Sequence, residues 1–240
     1  MADITLEELL KSGAHFGHRA SRWNPKMAPY IFTVRNKFHI IDLEKTHAKI
    51  KEAQKFVKDI VKAGGTVLFV GTKRQAREAV KASALACGMP FVTTRWLGGS
   101  LTNFRTIQRS IRKLAQLEEL LNGPNIARYT KKERLMMQRE YNKNTVLFEG
   151  LRNMKKIPEA IFVVDINTDL IAVKEANVTK VKVVGVVDTN SNPSLVDFPI
   201  PANDDAIKTL SLLTSAIASA VKEAHSETPA AAPAPSPEKN

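Results

Sequence analysis

Cys87 is the only cysteine in the chain. That count excludes an intramolecular disulfide and any zinc site built on cysteines. No apolar run approaches the ~20 residues needed to span a bilayer. The N-terminus, Met1-Ala2-Asp3-Ile4-Thr5, has neither the basic n-region nor the apolar h-region of a secretory signal. These absences fit a cytoplasmic protein. No Gly-x-Gly-x-x-Gly follows a strand pattern, and Gly71-Thr72-Lys73 has no second glycine ahead of its lysine. The dinucleotide fingerprint and the P-loop are therefore both missing. No nucleophile–base–orienter set stands out either.

Acids are scarce in particular places. None occurs between Glu8 and Asp42, a span holding Lys11, Arg19, Arg22, Lys26, Arg35 and Lys37. Between Asp59 and Glu118 the sole acid is Glu78, against Lys73, Arg74, Arg77, Arg95, Arg105, Arg109 and Arg112 among others. The whole chain carries 36 Lys+Arg against 24 Asp+Glu, a net charge of +12. A merely soluble surface mixes both signs. Long one-sign spans inside a foldable pattern point to a surface built against phosphates, with nucleic acid the usual partner. An anionic membrane surface is the alternative, but it needs a basic amphipathic helix, and the apolar stripes of the helical region are committed to each other.

What is present is an α/β pattern in 240 residues with 43% hydrophobic content, enough for one large core. Thr5 opens a short helix with Glu8 at the capping-box position. The next stretch interleaves Phe16, Trp23, Tyr30 and Phe32 with Arg19, Arg22 and Lys26. Its prolines and Gly17 predict an ordered loop rather than an element. Cations for phosphates and rings for bases suit RNA. His15 and His18, at i, i+3, are a thin metal signal without nearby acids. Phe38-His39-Ile40-Ile41 reads as a strand, followed by a helix to about Val61.

Thr66-Val67-Leu68-Phe69-Val70 is apolar at every position, as a buried parallel strand is. A helix and the strand Pro90-Phe91-Val92-Thr93 complete a βαβ unit. A second unit, with strands at 160–165 and 181–187, repeats it: Val70 matches Val164 and Val92 matches Val186 at one offset. Between them lie two apolar stripes. One is Ile107, Ile111, Leu114, Leu117 and Leu121; the other is Met137, Tyr141, Asn144, Phe148 and Leu151 at heptad steps. The pattern predicts a doubly wound, flavodoxin-like α/β sheet with an inserted antiparallel coiled-coil helical hairpin. The boundaries are 1-102 and 155-225 for the α/β part, 103-154 for the hairpin and 226-240 for a disordered tail. Asp197-Phe198-Pro199-Ile200-Pro201 is an edge strand because of its prolines.

The stretch that joins the first unit to the hairpin is Thr93-Thr94-Arg95-Trp96-Leu97-Gly98-Gly99-Ser100-Leu101-Thr102-Asn103-Phe104. Two glycines behind an Arg-Trp pair read as a sharp turn presenting the pair at a strand end. Arg95 suits a phosphate. Trp96 suits either a stacked base or the core. Together with Lys73, Arg74 and Arg77, and with Arg105, Arg109 and Arg112 spaced by four and three along one helix, it predicts a basic strip. Lys131 and Lys132 add charge on the second helix. Asp188, Asp204 and Asp205 are weak candidates for a structural Mg²⁺; helix capping by Asn203 or Asp204 is the plainer reading. No cofactor is called for. The rival to nucleic-acid binding is a doubly wound enzyme holding a phosphorylated ligand at Gly71–Lys73.

Seven ordered blocks resemble the bacterial small-subunit ribosomal protein S-two family. They are Gly13-Ala14-His15-Phe16-Gly17-His18, Arg22-Trp23-Asn24-Pro25-Lys26-Met27, His39-Ile40-Ile41-Asp42-Leu43, Val70-Gly71-Thr72-Lys73-Arg74, Arg95-Trp96-Leu97-Gly98-Gly99-Ser100-Leu101-Thr102-Asn103, Val187-Asp188-Thr189-Asn190 and Pro201-Ala202-Asn203-Asp204-Asp205-Ala206-Ile207. Ala202 departs from the family's usual glycine. Asn177-Val178-Thr179-Lys180-Val181 departs from its usual leucine-glycine-isoleucine-proline turn. The resemblance implies a non-catalytic constituent of the small ribosomal subunit that binds rRNA, neighbours other small-subunit proteins and helps dock the large ribosomal protein S-one.

Overall fold

The computed structural model describes residues 4–227. Its centre is a five-stranded parallel sheet in the order β5-β4-β6-β7-β8, built from β4 (Val67–Val70), β5 (Phe91–Val92), β6 (Ala160–Val163), β7 (Lys182–Val187) and β8 (Phe198–Pro201). Counting these strands along the chain gives 2-1-3-4-5, the order of flavodoxin-like sheets. Side chains of β4 alternate between two cores. Val67 and Phe69 face one with α2 (Leu43–Lys62), α3 (Arg77–Cys87) and α7 (Ile207–Glu227). Leu68 and Val70 face the other, with α6 (Leu170–Thr179) and the feet of α4 (Phe104–Asn122) and α5 (Lys131–Phe148). Both faces are covered, which is why every position of β4 is apolar. The prolines of β8 sit on the sheet's edge, as expected.

α4 and α5 leave the sheet between β5 and β6 and lie against each other. Lys113 reaches Glu140 at 2.7 Å and Tyr141 reaches Glu118 at 2.9 Å, so the helices run in opposite senses. Thr130 and Glu133 form the capping box that starts α5, and Thr5 and Glu8 form the one that starts α1 (Leu6–Ser12). The heptad run does not stay α-helical to Leu151: a 3-10 turn occupies Glu149–Leu151. Gly150 makes that turn possible. A Cβ there would stand 2.1 Å from the Phe91 carbonyl oxygen, so the foot of α5 docks backbone to backbone on β5.

Two sequence expectations fail. The aromatic-cationic stretch after α1 is not a loop. It forms β1 (Phe16–Arg19) and β2 (Ile31–Arg35), joined by 3-10 turns, and these flank β3 (Phe38–Ile41) in an antiparallel sheet ordered β1-β3-β2. The prolines sit in the 3-10 turn Pro25–Tyr30, outside the strands. At the other end, Ser226 and Glu227 still belong to α7. The tail expected beyond them lies outside the described residues.

Candidate nucleic-acid interface and the acidic crest

The loops leaving the carboxyl ends of the parallel strands meet along one crest of the sheet. Its two halves differ in charge. Arg74 follows β4 and Arg95 follows the adjacent β5, and both are exposed. Asp165 follows β6, Asp188 follows β7, and Asp204 and Asp205 follow β8. The N-terminal sheet is seated on the acidic half: the His18 backbone N–H donates to Thr189 Oγ1 at 2.8 Å, and the Asn24 backbone N–H to the Thr189 carbonyl at 2.8 Å.

Lys73 leaves the basic half and joins the acidic one. Its ammonium lies 2.7 Å from Asp204, 2.7 Å from Asp205 and 3.2 Å from Asp165, with the side chain 15% exposed. It is therefore an internal counter-ion rather than a phosphate contact, which corrects the sequence expectation. Burial alone would lower its pKa; the surrounding carboxylates outweigh that and hold it above the usual lysine value. Asp204 moves the other way. Burial first, then the charges of Asp165 and Asp188, push it up to about 7 against the pull of Lys73. Thr72 completes the loop, donating through its N–H and hydroxyl to Asp169 at 3.1 and 2.8 Å. The crevice where this strand order would place a ligand is thus filled by the protein's own side chains.

His18 stands over the same crest, with Nδ1 3.0 Å from Asp188 and Nε2 3.6 Å from Asp205. His18, Asp188 and Asp204 bring one ligand atom each to within 4.8 Å of one another. This set could hold a divalent cation, and its mixed nitrogen–oxygen donors suit a borderline transition ion better than Mg²⁺. The expected trio of Asp188, Asp204 and Asp205 is therefore revised, with His18 in place of Asp205. His15 does not join it; its ring lies 4.0 Å from that of Phe16. Asn203, not Asp204, caps the approach to α7, accepting from the Asp205 and Ala206 N–H groups. A cleft of about 490 Å³ opens above His18 and Asp188, lined also by Phe16, Arg19, Arg22 and Phe38.

Trp96 is buried, and its Nε1–H donates to Glu175 on α6. A ring held in the core by its polar edge is not free to stack on a base, so the core alternative holds. Glu175 itself carried no sequence signal beyond its place in an apolar helix. The remaining candidates are exposed: Arg19, Arg22, Trp23, Lys26, Arg74, Arg77, Arg95, Arg105, Arg109, Arg112, Lys131 and Lys132. Trp23, 40% exposed, rests one face near His39, the ring centroids 5.2 Å apart. Arg19 lies over the Phe38 ring at 5.7 Å.

Comparison with known proteins bears on this geometry. The family model described as "Ribosomal protein S2" matches residues 9–224. The chain belongs to the ribosomal protein S2 family. It is 52% identical over 223 residues to the small ribosomal subunit protein uS2 of Nocardia farcinica, covering 93% of this chain and 78% of that one. It is 49% identical over 227 residues to the uS2 of Coxiella burnetii, covering 94% and 72%. Ribosomal protein S2 is a structural, non-enzymatic constituent of the small subunit, which removes the phosphorylated-ligand enzyme as a reading of Gly71–Lys73. No helix among the described residues is long and apolar enough to cross a membrane.

His39 adds a pH dependence to this fold. It is 6% exposed, and neither ring nitrogen finds a partner among the described residues; Nδ1 of His15 is in the same position. Burial lowers both pKa values below the ordinary 6.5. The unfolded chain then takes up protons first as pH falls, so the neutral rings contribute stability above the unfolded value and lose it below. Urea midpoints at about pH 7.5 and 5.5 should show that acid loss. In His39→Leu the loss should be smaller; an unchanged pH slope would remove His39 as its cause.

Proposed function

We propose that the protein binds small-subunit rRNA through the basic half of the crest and one side of α4, with the N-terminal sheet as a second contact. One observation carries this reading. Arg74, Arg95, Arg105, Arg109 and Arg112 are exposed, and none forms an ion pair with another described residue. Neighbouring lysines do: Lys81 pairs with Glu149 and Lys113 with Glu140. Cations left unpaired along one edge, beside cations already neutralised, are what a phosphate-facing surface requires. Such contacts position the RNA without reading its sequence.

The reading includes two finer points. The α4–α5 pair, residues 103–154, acts as a coiled-coil arm set into the α/β part formed by 1–102 and 155–225; Ile107, Leu114, Phe148 and Leu151 supply its buried seam. The second point is docking of the large ribosomal protein S-one, which the family resemblance implies. Phe32 is 74% exposed, and Phe16 and Phe38 share the N-terminal sheet with it. Apolar exposure of that kind suits a protein partner more than a phosphate backbone.

Arg109→Glu and Arg112→Glu test the RNA reading. Each should weaken binding to every small-subunit RNA fragment alike, and each should reduce the salt slope by about one. Thermal unfolding and far-UV circular dichroism should not change. Undiminished affinity, or failure of the wild-type chain to co-sediment with small subunits at low salt, would move the interface elsewhere.

A further inference from the structure

The turn between β5 and α4 is wrapped around one carboxylate. Glu175, in the middle of α6, is 8% exposed, and its two oxygens accept five hydrogen bonds. Oε1 accepts from Trp96 Nε1 at 3.1 Å and the Gly99 N–H at 2.7 Å. Oε2 accepts from the Leu101 N–H at 3.0 Å and from the Thr102 N–H and hydroxyl at 3.1 Å each. None of the five donors carries a charge. A buried carboxylate without a cation is costly unless fixed dipoles replace the lost water. Converging backbone N–H groups supply such dipoles, as they do in anion-binding concavities.

The backbone is shaped for this. Gly99 takes φ +88°, a left-handed conformation that glycine adopts without a Cβ penalty. That bend turns the Gly99, Leu101 and Thr102 N–H groups to one point. The Ser100 hydroxyl closes the turn on the Leu97 carbonyl at 2.6 Å. α4 has no local side-chain cap, because Asn103 makes no capping bond. The donors ahead of the helix are satisfied by a residue of another helix instead. Burial would push the Glu175 carboxyl up; the N–H groups of Leu101, Gly99 and Thr102 and the Trp96 indole outweigh it and hold the group below the usual carboxylate range.

We propose that residues 96–102 form an anion-binding nest, that the Glu175 carboxylate is its built-in ligand, and that this bond latches the foot of α4 to α6. The ligand class is a carboxylate or a similarly small oxyanion. Arg95 and Arg105 flank the nest, so the latch also fixes where those two arginines stand; that consequence rests on the RNA reading above, whereas the nest does not.

The test uses the full chain carrying Glu175→Ala, which removes the ligand and leaves the cradle. Its Tm should fall by roughly 5–10 °C, since several buried donors lose their partner together. Sodium formate should restore it saturably, whereas sodium chloride at the same ionic strength should not, and the wild-type Tm should not respond to formate. Should the variant not fold in chloride, its refolding yield with and without formate reads the same question. Glu175→Gln keeps the side-chain size and provides the second measurement. The wild-type carboxyl, being depressed, contributes stability above its unfolded pKa that is lost as pH falls through the folded one. The glutamine variant should lack that acid limb. A formate effect no larger than chloride's, or a glutamine variant matching wild type in Tm and in acid profile, overturns the nest. RNA affinity of Glu175→Ala should recover with formate alongside Tm. Recovery of Tm without recovery of affinity would leave the nest standing and remove Arg95 and Arg105 from the RNA contact.

Discussion

Lys73→Met should cost about 3–5 kcal/mol of stability, the usual loss when one partner of a buried ion pair is removed. The substitution keeps a long unbranched side chain but withdraws the cation lying within 3.2 Å of Asp165, Asp204 and Asp205. Asp165 and Asp204 are almost fully buried, so water cannot replace the ammonium. They would then face each other and Asp188 without compensation. Urea denaturation gives the measurement. Adding Asp204→Asn to Lys73→Met should recover much of the loss, although Asp204→Asn alone breaks the same pair; the effects should be strongly non-additive. Simple additivity would show that the ammonium is not what holds the crest together. RNA affinity, corrected for folded fraction, should survive Lys73→Met. A stable Lys73→Met that binds RNA poorly would return Lys73 to the phosphate-facing set.

Salt should dominate the RNA affinity. Five unpaired arginines on the strip and the cations of the N-terminal sheet can neutralise about six phosphates, for a slope of log affinity against log salt of roughly −4 to −5. Raising salt from about 50 to about 200 mM should then weaken binding by about a thousandfold. Filter binding or fluorescence anisotropy on a small-subunit rRNA fragment reads the slope directly. A slope near zero would mean that apolar or base-edge contacts carry the binding and that the exposed arginines face something else.

The sequence by itself determined what depends on neighbours along the chain. Val67–Val70, apolar throughout, could only be a strand covered on both faces. The Thr130–Glu133 and Thr5–Glu8 capping boxes set their helix starts because donor and acceptor lie one turn apart. Pro199 and Pro201 put β8 at an edge because proline has no N–H for a second ladder. The overall excess of cations and the exposure of most arginines were legible for the same reason: a charge without a buried partner stays in water.

Tertiary structure decided which polar groups are paired. Lys73 looked like Arg74, its neighbour, and differs only because loops 131 residues apart meet at the ends of β4 and β8. Trp96 could have faced a base; it faces the core because Glu175, 79 residues on, waits behind it with a buried oxygen. β1 and β2 read as loop because their prolines and glycine are local breakers, whereas their ladders depend on β3, which β1 meets between Phe16 and Ile40. Periodicity and propensity act over one or two turns of chain. A buried ion must find its counter-charge in space, and only the way the strands order themselves in the sheet says which loop supplies it.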